Sequence, residues 1–159
     1  MKQLACLVAL MAAACAGTPA PDMLLVDGEM VSVHAARQRL AQPLPPPTAE
    51  QLASARSLHP TDLRLADVAW AQRPEGNVYG AVYPYPALLA GLGGQVELDC
   101  LIQEDSRLAC AVRSETPPEH GFADAARQIA AQYKVPEQAE GGAAFIGRVV
   151  FVPINFQTP

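Results

Sequence analysis

The 159-residue chain lacks the usual marks of a catalyst or a nucleic-acid binder. It has no P-loop, nucleophile-elbow, zinc or dinucleotide motif. Its three histidines, His34, His59 and His120, do not fall at metal-ligand spacing. Glu97 and Asp99 share a strand face, as many solvated carboxylates do. Function has to be argued from a site, and none for catalysis is visible. No enzymatic activity, metal or cofactor is therefore expected. Net charge is −5 with both signs scattered. No basic patch could neutralise a phosphate backbone, so nucleic acid is not an expected partner. No run reaches the roughly 20 apolar residues that a membrane span needs. Aromatic residues are few, and the single tryptophan, Trp70, reads as packing onto the domain behind it rather than stacking on a ligand.

Proline, with 15 residues, is plentiful and favours extended connectors over long helices. The N-terminus has the layout of a secretory signal peptide over residues 1–16. Lys2 supplies a short positive region, Leu4 to Ala14 an uncharged apolar run, and small residues follow. Two processing routes stay open. Met11 to Cys15 resembles a lipoprotein box, which would make Cys15 a lipidated first residue tethered to a leaflet. Ala14-Cys15-Ala16 is alternatively an ordinary cleavage site. The expected location is the periplasm, either free or lipid-anchored in the cell envelope. With Cys6 and Cys15 in the leader, Cys100 and Cys110 remain as a pair that an oxidising compartment allows to bond.

Residues 17–60 read as a weakly ordered region with a short Pro-rich linker, Pro43 to Pro47. Short helices are expected at His34–Gln42 and from a Thr48 cap through Ser57. Residues 61–82 read as a lead-in. Pro86 to Leu92 forms a short helix. Gln95 to Gln103 alternates, with Val96, Leu98, Cys100 and Ile102 on one face and Leu101 as the exception on the other. Arg107 to Ser114 alternates again, with Leu108, Cys110 and Val112 sharing a face. A three-residue turn at Glu104–Ser106 sets Cys100 opposite Cys110 in an antiparallel hairpin. That register favours a disulfide over two buried free thiols. Gly121 to Tyr133 carries the best helical stripe: Phe122, Ala125, Ala126, Ile129, Ala130 and Tyr133. Phe145 to Phe156 is a last strand. Its Val150, Val152, Ile154 and Phe156 face the helix, and its Val149, Phe151, Pro153 and Asn155 face away. Pro153 cannot donate to a ladder, which places it at an edge or an irregularity. The fold class is α+β, a small antiparallel sheet of three strands packed on one long helix, in the order helix-strand-strand-helix-strand.

Residues 83–159 resemble the C-terminal domain of TonB-like energy transducers. The resemblance rests on Tyr83-Pro84, Ala87, Gly94-x-Val96, Arg107-Leu108, Val112-x-Ser114, the Phe122–Ala130 helix, the Pro136 end and the close Val152-Pro153-Ile154-Asn155-Phe156. Paired Cys100 and Cys110 and the Trp70…Pro74 lead-in resemble a subgroup of short exported members. The resemblance implies an adaptor that contacts outer-membrane transporters by accepting an extended segment as an added strand. The implied receiving edge is Arg148, Val149, Val150, Phe151, Val152, Pro153, Ile154, Asn155 and Phe156. Three departures stand out. A cleavable leader replaces the membrane helix, the proline-rich rod is reduced to Pro43–Pro47, and Ser106 stands where glycine is common, which puts Ser106 in a left-handed conformation. The first two favour a binding module over a force-transmitting one. The alternatives are a self-associating structural envelope protein, in which the same edge forms a homodimer, and an accessory component of TonB-dependent energised transport.

Overall fold

The structure, a computed structural model, describes residues 23–26, 29–136 and 145–158. The expected leader and cleavage site and the lipidation candidate Cys15 lie outside the described residues. In chain order the elements are β1 (Met23–Val26), β2 (Glu29–Ser32), α1 (Val33–Arg39), α2 (Ala49–Leu58), β3 (Leu63–Arg64), a 3-10 turn (Leu65–Asp67), α3 (Gly76–Val82), α4 (Tyr85–Leu89), β4 (Gly94–Ile102), β5 (Leu108–Thr116), α5 (Phe122–Ala130) and β6 (Val149–Phe156). The α+β class is as expected, but the arrangement is richer than three strands on one helix. β1 and β2 form a separate hairpin, and four strands form one sheet in the order β3-β6-β4-β5.

The β4–β5 hairpin has the register that the turn chemistry predicts. The Gln103 N–H donates to Arg107 O at 2.9 Å, Ser106 closes the turn at φ 66°, and Cys100 faces Cys110. The two cysteines are disulfide-bonded with Cα atoms 4.0 Å apart. Beyond them the ladder slips by one residue: Leu98 pairs with Val112 but Glu97 pairs with Ser114, leaving Arg113 as a bulge. Since strand side chains alternate, one inserted residue reverses the faces of all that follow. Glu115 is thereby turned to the helix side, where its carboxylate accepts the Ala123 N–H at 3.1 Å. Glu115 thus caps α5, whose own N-cap, Gly121, has no side chain to offer. Val112 is 41% exposed, against the expectation that it is buried like Leu108 and Cys110. It sits on an edge strand just before the bulge, with a strand neighbour on one side only.

On the helix side, α5 lays its predicted stripe onto the sheet, with Phe122, Ala125, Ala126, Ile129 and Ala130 all buried, but the helix stops at Ala130 and Tyr133, expected on the same stripe, is buried beyond its end. Tyr83, Phe122 and Phe156 form an aromatic cluster with ring centroids 5.0–5.8 Å apart, and the Tyr83 hydroxyl donates to Leu92 O at 2.6 Å. The lead-in at 61–82 belongs to this core, contributing Leu63, Val68, Val78 and Val82. Trp70 packs edge-on against Tyr133 at 4.7 Å, its indole N–H bound to Leu65 O.

The opposite face is not wholly wet. Thr48 and Gln51 form a reciprocal capping box at the start of α2. This helix buries Leu52 and Ala55 against Val149, beside Leu101 and Ala111. Leu101, the exception to the β4 alternation, is therefore half-buried under α2. The chain reaches this face along Ala41–Pro47. Buried Gln132 exchanges two hydrogen bonds with the Ala41 backbone. Arg107 donates to Gln42 O, and Arg127 donates to Leu44 O. Residues 29–60, part of the region expected to be weakly ordered, thus carry α1, which packs on α3 and the β1–β2 pair, and α2, which covers the outer face of the four-stranded sheet.

Candidate partner-binding edge

β6 begins at Val149 rather than at Phe145. Gly147 takes φ 77°, and Arg148 N bonds back to Phe145 O, so the preceding residues form a turn. From there the predicted alternation holds. Val150, Val152, Ile154 and Phe156 are buried in the main core. Of the outward set, Val149 lies under α2, Phe151 and Pro153 are half-buried, and Asn155 is exposed.

The expected receiving strand has one side fully taken, because β4 pairs antiparallel with it from Gly94↔Phe156 to Leu101↔Val149. On its other side β3 pairs in parallel at only two positions, Leu63↔Val150 and Arg64↔Phe151. From Val152 to Phe156 that outer side has no strand neighbour among the described residues. β6 is thus an inner strand at its start and an edge strand over its second half.

The direction of its backbone groups follows from one bond. Ile102 N donates to Arg148 O at 3.0 Å. In an antiparallel ladder such bonded pairs alternate with unbonded ones. Arg148, Val150, Val152, Ile154 and Phe156 therefore turn their backbone groups toward β4, and Val149, Phe151, Pro153 and Asn155 turn theirs outward. Pro153 is accommodated because its missing N–H would have pointed away from the ladder. On the free half of the edge the outward groups are the Pro153 carbonyl and the Asn155 N–H and carbonyl.

Charged side chains frame the other half. Arg56 of α2 grips Asp62, just before β3, with bonds of 2.7, 3.0 and 3.2 Å. The same guanidinium reaches Asp99 of β4 at 3.2 Å. Arg113, freed by the bulge, binds Asp99 at 2.6 Å, lies 3.8 Å from Asp62, and covers the Phe151 ring at 4.8 Å. Donating to the Asp62 carboxylate raises the Arg56 pKa above its ordinary value. Arg148 donates to Thr61 O at 3.4 Å, tying the start of β6 to the same segment. No pattern in the sequence pointed to this network, because its members come from four separate elements.

The histidines stay apart. His34 lies on α1, His59 is the C-cap of α2, and His120 sits in the loop before α5 with Nδ1 2.6 Å from Pro118 O. A separate cleft of about 340 Å³ opens between α1 and α3, lined in part by Arg39, Arg73, Asn77 and Gln132.

No protein-family model matches the chain, and no curated protein matches it. Among solved structures it is similar to that of the TonB2 protein from Vibrio anguillarum, with 26% sequence identity over 48% of this chain and 73% of that one, and a TM-score of 0.39.

Proposed function

We propose that this chain is an exported, non-catalytic envelope module that binds an extended peptide by strand addition to the outer edge of β6. The partner is a periplasm-facing segment of an outer-membrane transporter or another envelope protein. The observation that carries this reading is the half-open edge. Past Phe151, β6 presents outward backbone groups with no strand neighbour among the described residues, beside a core strand held rigid by β4. An edge of this kind is a template for pairing with another chain. The motif residues behind the TonB-like resemblance support the same geometry. Tyr83, Gly94 and Phe122 pack together behind Phe156 and hold the end of β6 in place.

The test places a proline where it removes a partner's bond and nothing else. Asn155→Pro deletes the one outward N–H on the free edge and leaves the β4 ladder intact, as Pro153 already does. Synthetic peptides copied from periplasm-facing transporter segments are titrated against both proteins by calorimetry. Binding by the parent chain that weakens roughly tenfold or more in the variant supports the reading. Equal binding by both sinks it. A stable dimer that protects the Asn155 amide would instead assign the edge to self-association.

A further inference from the structure

The two-residue strand β3 is too short to be explained by its own ladder. It runs parallel to β6 on the edge assigned above to a partner, and it ends abruptly. The Asp67 carboxylate accepts the Arg64 N–H at 2.9 Å and turns the chain into the 3-10 turn. Its other end is fixed by Asp62, held between Arg56 and Arg113. Leu63 points into the core and Arg64 into solvent, so the segment has the alternation of an added strand. Removing Asp62 would leave two guanidiniums facing the single carboxylate of Asp99.

We propose that Thr61–Arg64 is an internal stand-in for the ligand: a partner strand running parallel to β6 displaces it, occupies the edge from Val149 to Phe156, and places a carboxylate between Arg56 and Arg113. The inference rests on the strand-addition reading and adds the partner's direction, its acidic character and the step that admits it. The two guanidiniums select for acidity, since a displacing strand without a carboxylate would leave them unbalanced. An apolar residue following that carboxylate would take the place of Leu63 over the core.

Hydrogen exchange on the full chain separates this inference from the reading beneath it. By the alternation of the ladder, the Phe151 N–H is the β6 donor that meets β3, whereas the Val152 and Ile154 N–H groups belong to β4. Asp62→Asn is expected to speed exchange at Phe151 roughly tenfold, while Val152 and Ile154 stay protected. Arg56→Gln, made on α2, should do the same. A synthetic peptide copying residues 58–68 should restore Phe151 protection in the Asp62→Asn protein. The same peptide carrying Asp62→Asn should need roughly tenfold more to do so. Unchanged Phe151 protection in both variants, or loss of protection along all of β6, overturns the inference by making β3 a fixed part of the core. Selective opening with no capture of the peptide also overturns it. Either result leaves the Asn155→Pro titration to decide strand addition on its own.

Discussion

Gly94→Ala tests whether the end of β6 is held by close packing. A Cβ built on Gly94 would stand 2.5 Å from Phe122 Cδ2 and 2.7 Å from Cγ and Cε2. Real Cβ atoms do not approach so closely, so the ring would have to move. It has nowhere to go, because it is fully buried with Phe156 at 5.0 Å and Tyr83 at 5.8 Å. The glycine φ is not left-handed, so the whole cost is contact. Overpacking of a tight core costs about 1–3 kcal/mol. Alanine recovers about 0.5–1 kcal/mol of the entropy that a strand glycine loses. The net expectation is about 1–2 kcal/mol of destabilisation. Urea unfolding followed by Trp70 fluorescence should then show a midpoint lower by roughly 0.5–1 M, given a urea slope of about 2 kcal/mol/M for a small domain. Phe122→Leu in the same chain should remove much of the penalty, a coupling that a double-mutant cycle would read as nonadditive. A midpoint that holds or rises in Gly94→Ala would refute the packing argument.

Two further outcomes follow from the core. Reducing the Cys100–Cys110 bond, which closes a loop with a sequence separation of 10, should cost about 3 kcal/mol by chain entropy; an unchanged urea midpoint under reductant would refute a stabilising bridge. Burial, followed by the neighbouring Tyr79, pushes the Tyr133 hydroxyl up to about 12. The folded protein then keeps a proton that the unfolded chain releases near pH 10. The associated stability is present below pH 10 and falls as pH rises toward 12. Tyr133→Phe should flatten that decline in unfolding curves taken from pH 9 to 12.

Much of the fold was legible in local chemistry. A turn at Glu104–Ser106 sets one register, and that register alone brings Cys100 opposite Cys110. The stripe from Phe122 to Ala130 has one burial solution, and the alternation in β6 fixed which side of Val150, Val152, Ile154 and Phe156 meets the core. Thr48 announced the start of α2. α3 was missed because glycines at 76 and 80 and valines at 78 and 82 are poor helix formers; it is stabilised by burying Val78, Ala81 and Val82 rather than by propensity.

The candidate edge divides the same way. Sequence by itself determined that β6 is a strand, which residues it turns inward, and that Pro153 must face away from a ladder. Tertiary structure alone decided what lies on its other side. β3 has two residues and therefore no period to detect, and its place beside Val150 is settled by long-range contacts through Asp62, Arg56 and Arg113. The bulge at Arg113 and the Glu115 cap are equally silent in sequence, because each arises only once two strands and a helix are brought together. Local pattern fixes the conformation of a segment; which neighbour completes its hydrogen bonds is a property of the assembled sheet.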